Sequence, residues 1–237
     1  MEAERIQKIL SAHGVTSRRN AEKMILEGRV TINGAAARLG QSANSLTDDI
    51  AVDGVLLSPK KESVYIMLNK PRGFVTTMSD ERGRKTVMSL VSGAGARVYP
   101  VGRLDMYSEG LLLMTNDGSF ANTAAHPSNN HIKTYEINVR GDADGAVALL
   151  RRPMVIDSRE IRAKSVDLIE RSPDGGILRM AIGEGRNRQV RKMCEICRLK
   201  VISLKRVSIG ALEIGDLKPG QWRHLTEDEK NSICGVK

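Results

Sequence analysis

The spacing of apolar positions changes several times along the chain, and each change marks an element. Ile6, Ile9 and Leu10 recur at i, i+3 and i+4, the spacing of a helix face, and Gly14 ends the run. Ser17 stands where an N-cap belongs. Ala21, Met24 and Ile25 form the next apolar stripe, and Gly28 suits the left-handed position just past its end. Arg18, Arg19 and Lys23 fall mostly on the opposite face. A strand over 29–32 runs into Asn33-Gly34, a strong hairpin-turn signal, and Asp53-Gly54 joins the apolar triplets 50–52 and 55–57. Two helices and short strands make a unit of about 55 residues, near the lower limit for a chain that folds alone.

The polar stretch Ser58-Pro59-Lys60-Lys61-Glu62-Ser63 breaks the pattern and predicts a linker, dividing the chain into residues 1–60 and 61–237. Strands are then expected over 64–68 and 98–101. Leu111-Leu112-Leu113-Met114 is continuously apolar, with turn formers on both sides: Ser108-Glu109-Gly110 before and Asn116-Asp117-Gly118 after. Such a run suits a buried strand. A short helix over 119–125 stops before Pro127, and 133–139 alternates with period two, as a half-buried strand does. A helix over 142–151, strands near 153–156, 161–169 and 177–182, and a basic helix opening within 184–193 follow. Residues 76–85 mix acidic and basic positions and predict no element. The class is α+β.

Composition narrows what such a chain can do. Of its 237 residues 41% are hydrophobic, ample for a core, and no run of eighteen apolar residues could span a membrane. The first residues, MEAERIQK, lack the apolar stretch of a signal peptide, so the cytoplasm is expected. Three cysteines, Cys194, Cys197 and Cys234, argue against a disulfide framework. No second CxxC and no paired histidines accompany Cys194 and Cys197, so no metal is expected and both read as buried, inert thiols. No phosphate-binding glycine loop occurs, so no nucleotide cofactor is expected either.

Charge changes the picture more. The net charge is +9, and Arg186, Arg188, Arg191, Lys192, Arg198, Lys200, Lys205 and Arg206 face one acid, Glu195, within 186–206. A solvated helix face is the plain alternative, but clustering this dense favours a phosphate-binding surface. Aromatics are only 3%, so recognition by stacking many bases is not expected.

The chemistry centres on Gly102 to Gly118, GRLDMYSEGLLLMTNDG. By its pattern alone, Asp105 is either a loop-bonding aspartate or a carboxylate partly desolvated beside a buried strand, where such groups become reactive. The stretch resembles the catalytic-aspartate motif of pseudouridine synthases, in the form used by ribosomal RNA enzymes that carry an S4 domain. Residues 5–34 resemble the S4 RNA-binding domain itself. Asn69-Lys70-Pro71-Arg72-Gly73, Lys133-Thr134-Tyr135 and Glu184 to Met193 (EGRNRQVRKM) resemble further motifs of the same family, and Leu217 to Glu229 its tail. The likeness covers nearly the whole chain.

That resemblance implies an S4 domain joined to a catalytic domain built on a mixed, largely antiparallel sheet with flanking helices. It implies Asp105, Tyr135 and Arg191 as catalytic residues, with Arg191 paired to Asp105 and Tyr135 stacked on the uracil. RNA contacts would come from Ser17, Arg18, Arg19, Lys23 and Arg29 in the S4 unit. Beyond it they would come from Lys70, which is either a phosphate contact or a support for its motif, and from Arg103, Arg186, Arg188, Lys192, Lys205 and Arg206. The substrate would be ribosomal RNA or a pre-ribosomal particle, with residues 80–87 closer to large-subunit enzymes; a monomer is expected. Asp105 could attack carbon or act as a base, and the sequence does not choose. Competing readings are a non-catalytic ribosomal RNA-binding factor and an RNA N-glycosidase. The joint presence of Asp105, Tyr135 and Arg191 argues against the first, and release of free uracil would mark the second.

Overall fold

The computed structural model describes residues 3–59, 62–126 and 129–235. Lys60 and Lys61 of the expected linker, and Pro127, lie outside them. The chain falls into two compact units, Met1–Val64 with Gly95–Arg97 and Asn116–Gly118, and the remainder.

In the smaller unit the expected elements form. Helices span Ile6–Ala12 and Arg18–Leu26, and the Ser17 side chain accepts the Asn20 N–H at 3.3 Å. A four-stranded antiparallel sheet runs in the order Ala35–Ala36, Val30–Ile32, Ile50–Val52, Val55–Leu56. Asn33-Gly34 and Asp53-Gly54 both take positive φ, the geometry of the two-residue hairpin turn. Ile6, Ile9, Leu10, Met24 and Ile25 pack on Val30, Ile32 and Ile50 as the core.

The larger unit is built on a nine-stranded sheet. Its main path runs Ser165–Ser172, Gly175–Ile182, Lys133–Arg140, Lys200–Ile209, Glu109–Thr115, Tyr65–Lys70, Trp222–His224. Lys200–Ile209 and Glu109–Thr115 run parallel, while the other pairs on this path are antiparallel. Helices Gly118–Ala125 and Glu227–Cys234 cover one face, packing Phe120, Ala124 and Ile233 with Met67, Leu111 and Leu113. Their alternates Ile66, Leu68, Leu112 and Met114 are also fully buried. Burial on both faces is why this strand reads as an unbroken apolar run.

Three expectations change, and one plain alternative falls. Glu109 and Gly110 belong to the strand rather than to a preceding turn. A Cβ on Gly110 (φ +103°) would lie 2.2 Å from the Arg206 carbonyl oxygen, so the parallel pairing requires glycine there. The basic segment 186–206 is not one helix face: it divides into a loop, the helix Gln189–Ile196 and the start of Lys200–Ile209. Cys194 is buried and its thiol is pushed up to about 12 by burial, but Cys197 is half-buried. The strand expected near 153–156 forms as Met154–Ile156 and pairs in a hairpin with an unexpected strand, Arg159–Ile161, while the strand expected over 161–169 spans Ser165–Ser172. The hairpin turns on Asp157 and Ser158, both at positive φ.

The unassigned loop 76–85 closes on Asp80. Its carboxylate accepts the Arg82 and Arg84 N–H groups and the Arg84 guanidinium, which lowers it to about 2.

Gly110→Ala should cost roughly 3 kcal/mol or more, because strained φ and a backbone collision add. Gly34→Ala, with φ +80° and open space around its Cβ, should cost about 1 kcal/mol. Denaturant unfolding of both variants measures the difference, and equal costs would refute the close-approach argument.

Candidate active site

Asp105 lies in the loop between strands Tyr99–Val101 and Glu109–Thr115. Lys70 shapes that loop. It ends the neighbouring strand directly opposite Gly110, and its side chain is fully buried. Its ammonium donates to the carbonyls of Asp105 at 3.0 Å, Met106 at 3.4 Å, Ser108 at 2.8 Å and Pro71 at 3.1 Å. An ammonium with no water needs such acceptors, and carbonyls drawn inward set the course of the loop. Burial lowers Lys70 to about 8, partly offset by Glu109 and Asp105. Lys70 is therefore no RNA ligand; it is enclosed and its donors are occupied.

Other contacts fix the loop further. The Thr76 hydroxyl donates to the Leu104 carbonyl at 2.7 Å, and the Gly73 N–H to that of Met106 at 2.8 Å. The Asp105 side chain keeps 38% of its exposure.

The arginines are arranged differently from expectation. Arg191, on helix Gln189–Ile196, donates to the Tyr107 carbonyl at 2.9 Å and approaches the Ser108 hydroxyl at 3.4 Å. It braces the loop and makes no ion pair within 4.0 Å with Asp105. Burial and Arg188 lower its pKa, opposed by Asp105. The near cation is Arg188, with Nη1 4.0 Å from Asp105 Oδ2. Both side chains are substantially exposed, so this pair contributes about 1 kcal/mol or less. Arg188 holds a left-handed conformation, φ +51°, at the start of the helix. Only its three-residue spacing from Arg191, one helical turn, hinted in the sequence that both face the loop.

Tyr135 is buried at 7% exposure and lies opposite Arg206 on one side and Met180 on the other. Arg206 is also buried, its Nε donating to the Leu111 carbonyl at 2.8 Å. It bonds the parallel strand pair and is no surface phosphate ligand, contrary to expectation. Arg103 is exposed and Lys205 half-buried. Arg186 pairs with Glu184 and Lys192 with Asp157.

In the smaller unit Arg18 and Arg19 are exposed, and Ser17 serves as the helix cap. Lys23 lies 3.7 Å from Glu27. Arg29 forms a two-pronged pair with Asp53, which raises the arginine and lowers the aspartate. Among the described residues no cluster of histidine, cysteine and acidic side chains could hold a metal, and no helix is long and apolar enough to cross a membrane.

Comparisons with known proteins agree along the chain. A family model described as RNA pseudouridylate synthase matches residues 64–196, and an S4 domain model matches residues 4–41. An uncharacterized RNA pseudouridine synthase of Mycobacterium leprae (strain TN) is 39% identical over 232 residues, 96% of this chain and 91% of that protein. The ribosomal large subunit pseudouridine synthase B of Bacillus subtilis (strain 168) is 38% identical over 230 residues, 95% of this chain and 93% of that protein. A crystal structure of a pseudouridylate synthase, 28% identical, covers 97% of this chain and 99% of its own with a TM-score of 0.65.

Lys70→Met should leave the fold intact while orphaning the loop carbonyls, at about 1–3 kcal/mol. The pH dependence has a definite sign. The folded-state pKa of about 8 lies below the ordinary lysine value of 10.5, so between them the unfolded chain binds the extra proton. Wild type should therefore gain stability relative to Lys70→Met as pH rises through that window. Thermal melts of both proteins from pH 7 to 10 measure this, and parallel curves would contradict a buried, charged Lys70.

Proposed function

The chain belongs to the RNA pseudouridylate synthase family, and from that premise we propose that it isomerises a uridine of ribosomal RNA, with Asp105 as the essential carboxylate. The enzyme is an isomerase. The observation that carries the residue assignment is a half-exposed carboxylate on a loop held by Lys70 and Arg191, with Arg188 at 4.0 Å.

The target uridine must leave its stack to present ring and sugar to the protein. The N1–C1′ bond breaks, the uracil turns, and a C5–C1′ bond forms. The proton lost from C5 is matched by one gained at N1, so the reaction balances without oxidant or energy donor. Asp105 acts either by attack on carbon or as a base towards the ribose, and both need the ionised carboxylate. The weak Arg188 contact leaves it available. Arg191 acts as a positioning residue through the Tyr107 carbonyl and Ser108. Tyr135 packs against the uracil near the departing C5 proton.

Arg103, Arg186, Arg188, Lys192 and Lys205 contribute phosphate contacts, as do Ser17, Arg18, Arg19, Lys23 and Arg29 from an S4 domain over residues 1–60. Residues 61–237 form the catalytic domain. The likeness to a large-subunit enzyme and the 80–87 stretch favour large-subunit RNA, within a pre-ribosomal particle. The protein acts as a cytoplasmic monomer without metal or nucleotide.

Asp105→Asn should abolish pseudouridine formation on ribosomal RNA transcripts while RNA affinity stays within about tenfold, roughly 1.4 kcal/mol. Arg191→Met should lower turnover at saturating RNA more than Arg188→Met, since it frees the loop and not only a loose partner. Nucleoside analysis of the product measures both. Turnover near wild type in Asp105→Asn would sink the assignment, and free uracil as product would identify a glycosidase.

A further inference from the structure

A groove runs along the helix Gln189–Ile196 away from Asp105. Arg188, Arg191, Glu195, Arg198, Leu199, Lys200 and Val201 line a cavity of about 450 Å³. Four cations face one acid there. Arg188 precedes the helix, Arg191 lies on it and Arg198 follows its end, and all three line the groove. The helix between Arg188 and Arg198 has eight residues and rises about 12 Å, longer than one phosphate contact requires.

Two further observations point the same way. The described non-glycine residues at positive φ are Asn33, Asp53, Asn130, Asp157, Ser158, Arg188 and Arg198. Five are short polar types suited to tight turns, whereas the two arginines have long side chains for which this backbone is unfavourable. Both line this groove, one at each end of the helix, and Arg198 occupies the position past the helix end where glycine is usual. Strain of this kind concentrates at functional positions. In addition, Lys200 lies directly across the strand pair from Arg140, a like-charge juxtaposition that costs stability unless an anion is bound.

We propose that this groove is a track for the RNA strand leading to Asp105, with phosphodiesters held by Arg198 and Lys200 beyond Arg188 and Arg191. The ligand class is a single-stranded polynucleotide backbone, and the inference rests on the reading of the chain as an RNA-modifying enzyme.

The decisive variant is Arg198→Gly, because glycine relieves the backbone while removing the charge. Its melting temperature should equal or exceed that of wild type. Its affinity for a 20-nucleotide polyuridylate at low salt should fall about three- to tenfold. The slope of log affinity against log salt should flatten by about 0.7, and by about 1.4 when Lys200→Gln is added. Arg198→Lys should recover part of the binding. Lys218→Gln, exposed and outside the groove, should stay within twofold. The proposal is overturned if the double variant binds within twofold of wild type with an unchanged slope. A lower melting temperature in Arg198→Gly would also overturn it, since the arginine would then serve the fold. These readouts need no turnover. A wild-type protein that binds as described yet forms no pseudouridine would refute the proposed function and leave the groove standing.

Discussion

A lysine ammonium with no exposure to water is the constraint on which the candidate site depends. Left unpaired, such a charge would cost several kcal/mol to bury. Lys70 avoids that by gathering four carbonyls within 2.8–3.4 Å, three of them from residues 105, 106 and 108. A loop whose carbonyls converge on one point has little freedom left. The side chains of Asp105 and Tyr107 remain accessible to solvent. The loop can descend so closely because Gly110 lets its strand approach Arg206 without a side chain between them. Preorganisation of this kind is what a reactive carboxylate requires, since a poorly held group loses rate steeply.

Electrostatics then divides the labour. Arg191 is partly buried and its hydrogen bonds go to the loop, so its contribution is positional. Arg188 is half-exposed, strained and loosely paired, so breaking its contact with Asp105 costs little. Past the end of the helix Gln189–Ile196, Arg198 and Lys200 are exposed and face few acids. This gradient, from buried and bonded to exposed and unsatisfied, is what a polyanion entering a site would meet.

Much of this was legible in the sequence. Helix caps, hairpin turns and the unbroken run Leu111 to Met114 follow local rules, and the structure bears them out. Contacts made across long sequence separations were not legible. Nothing local distinguishes Lys70 and Arg206 from solvated cations, yet both are buried by strands that pair only in the folded sheet. Gly110 looked like a turn residue because glycine serves both turns and close approaches. The Asp157-Ser158 turn uses turn-forming residues but not the Asn-Gly or Asp-Gly pair of a strong hairpin signal, so the hairpin it closes did not stand out. The ion-pair partner of Asp105 was placed one helical turn away from where it lies, a difference that motif spacing alone does not resolve.

The account stands most directly on what the protein does to RNA in the cell. Pseudouridines should be mapped across ribosomal RNA from cells with the gene, without it, and complemented with wild type or Asp105→Asn. Loss of modification at one or a few uridines of the large-subunit RNA, restored by wild type and not by Asp105→Asn, is the predicted result. An unchanged map on deletion, or full restoration by Asp105→Asn, would contradict it.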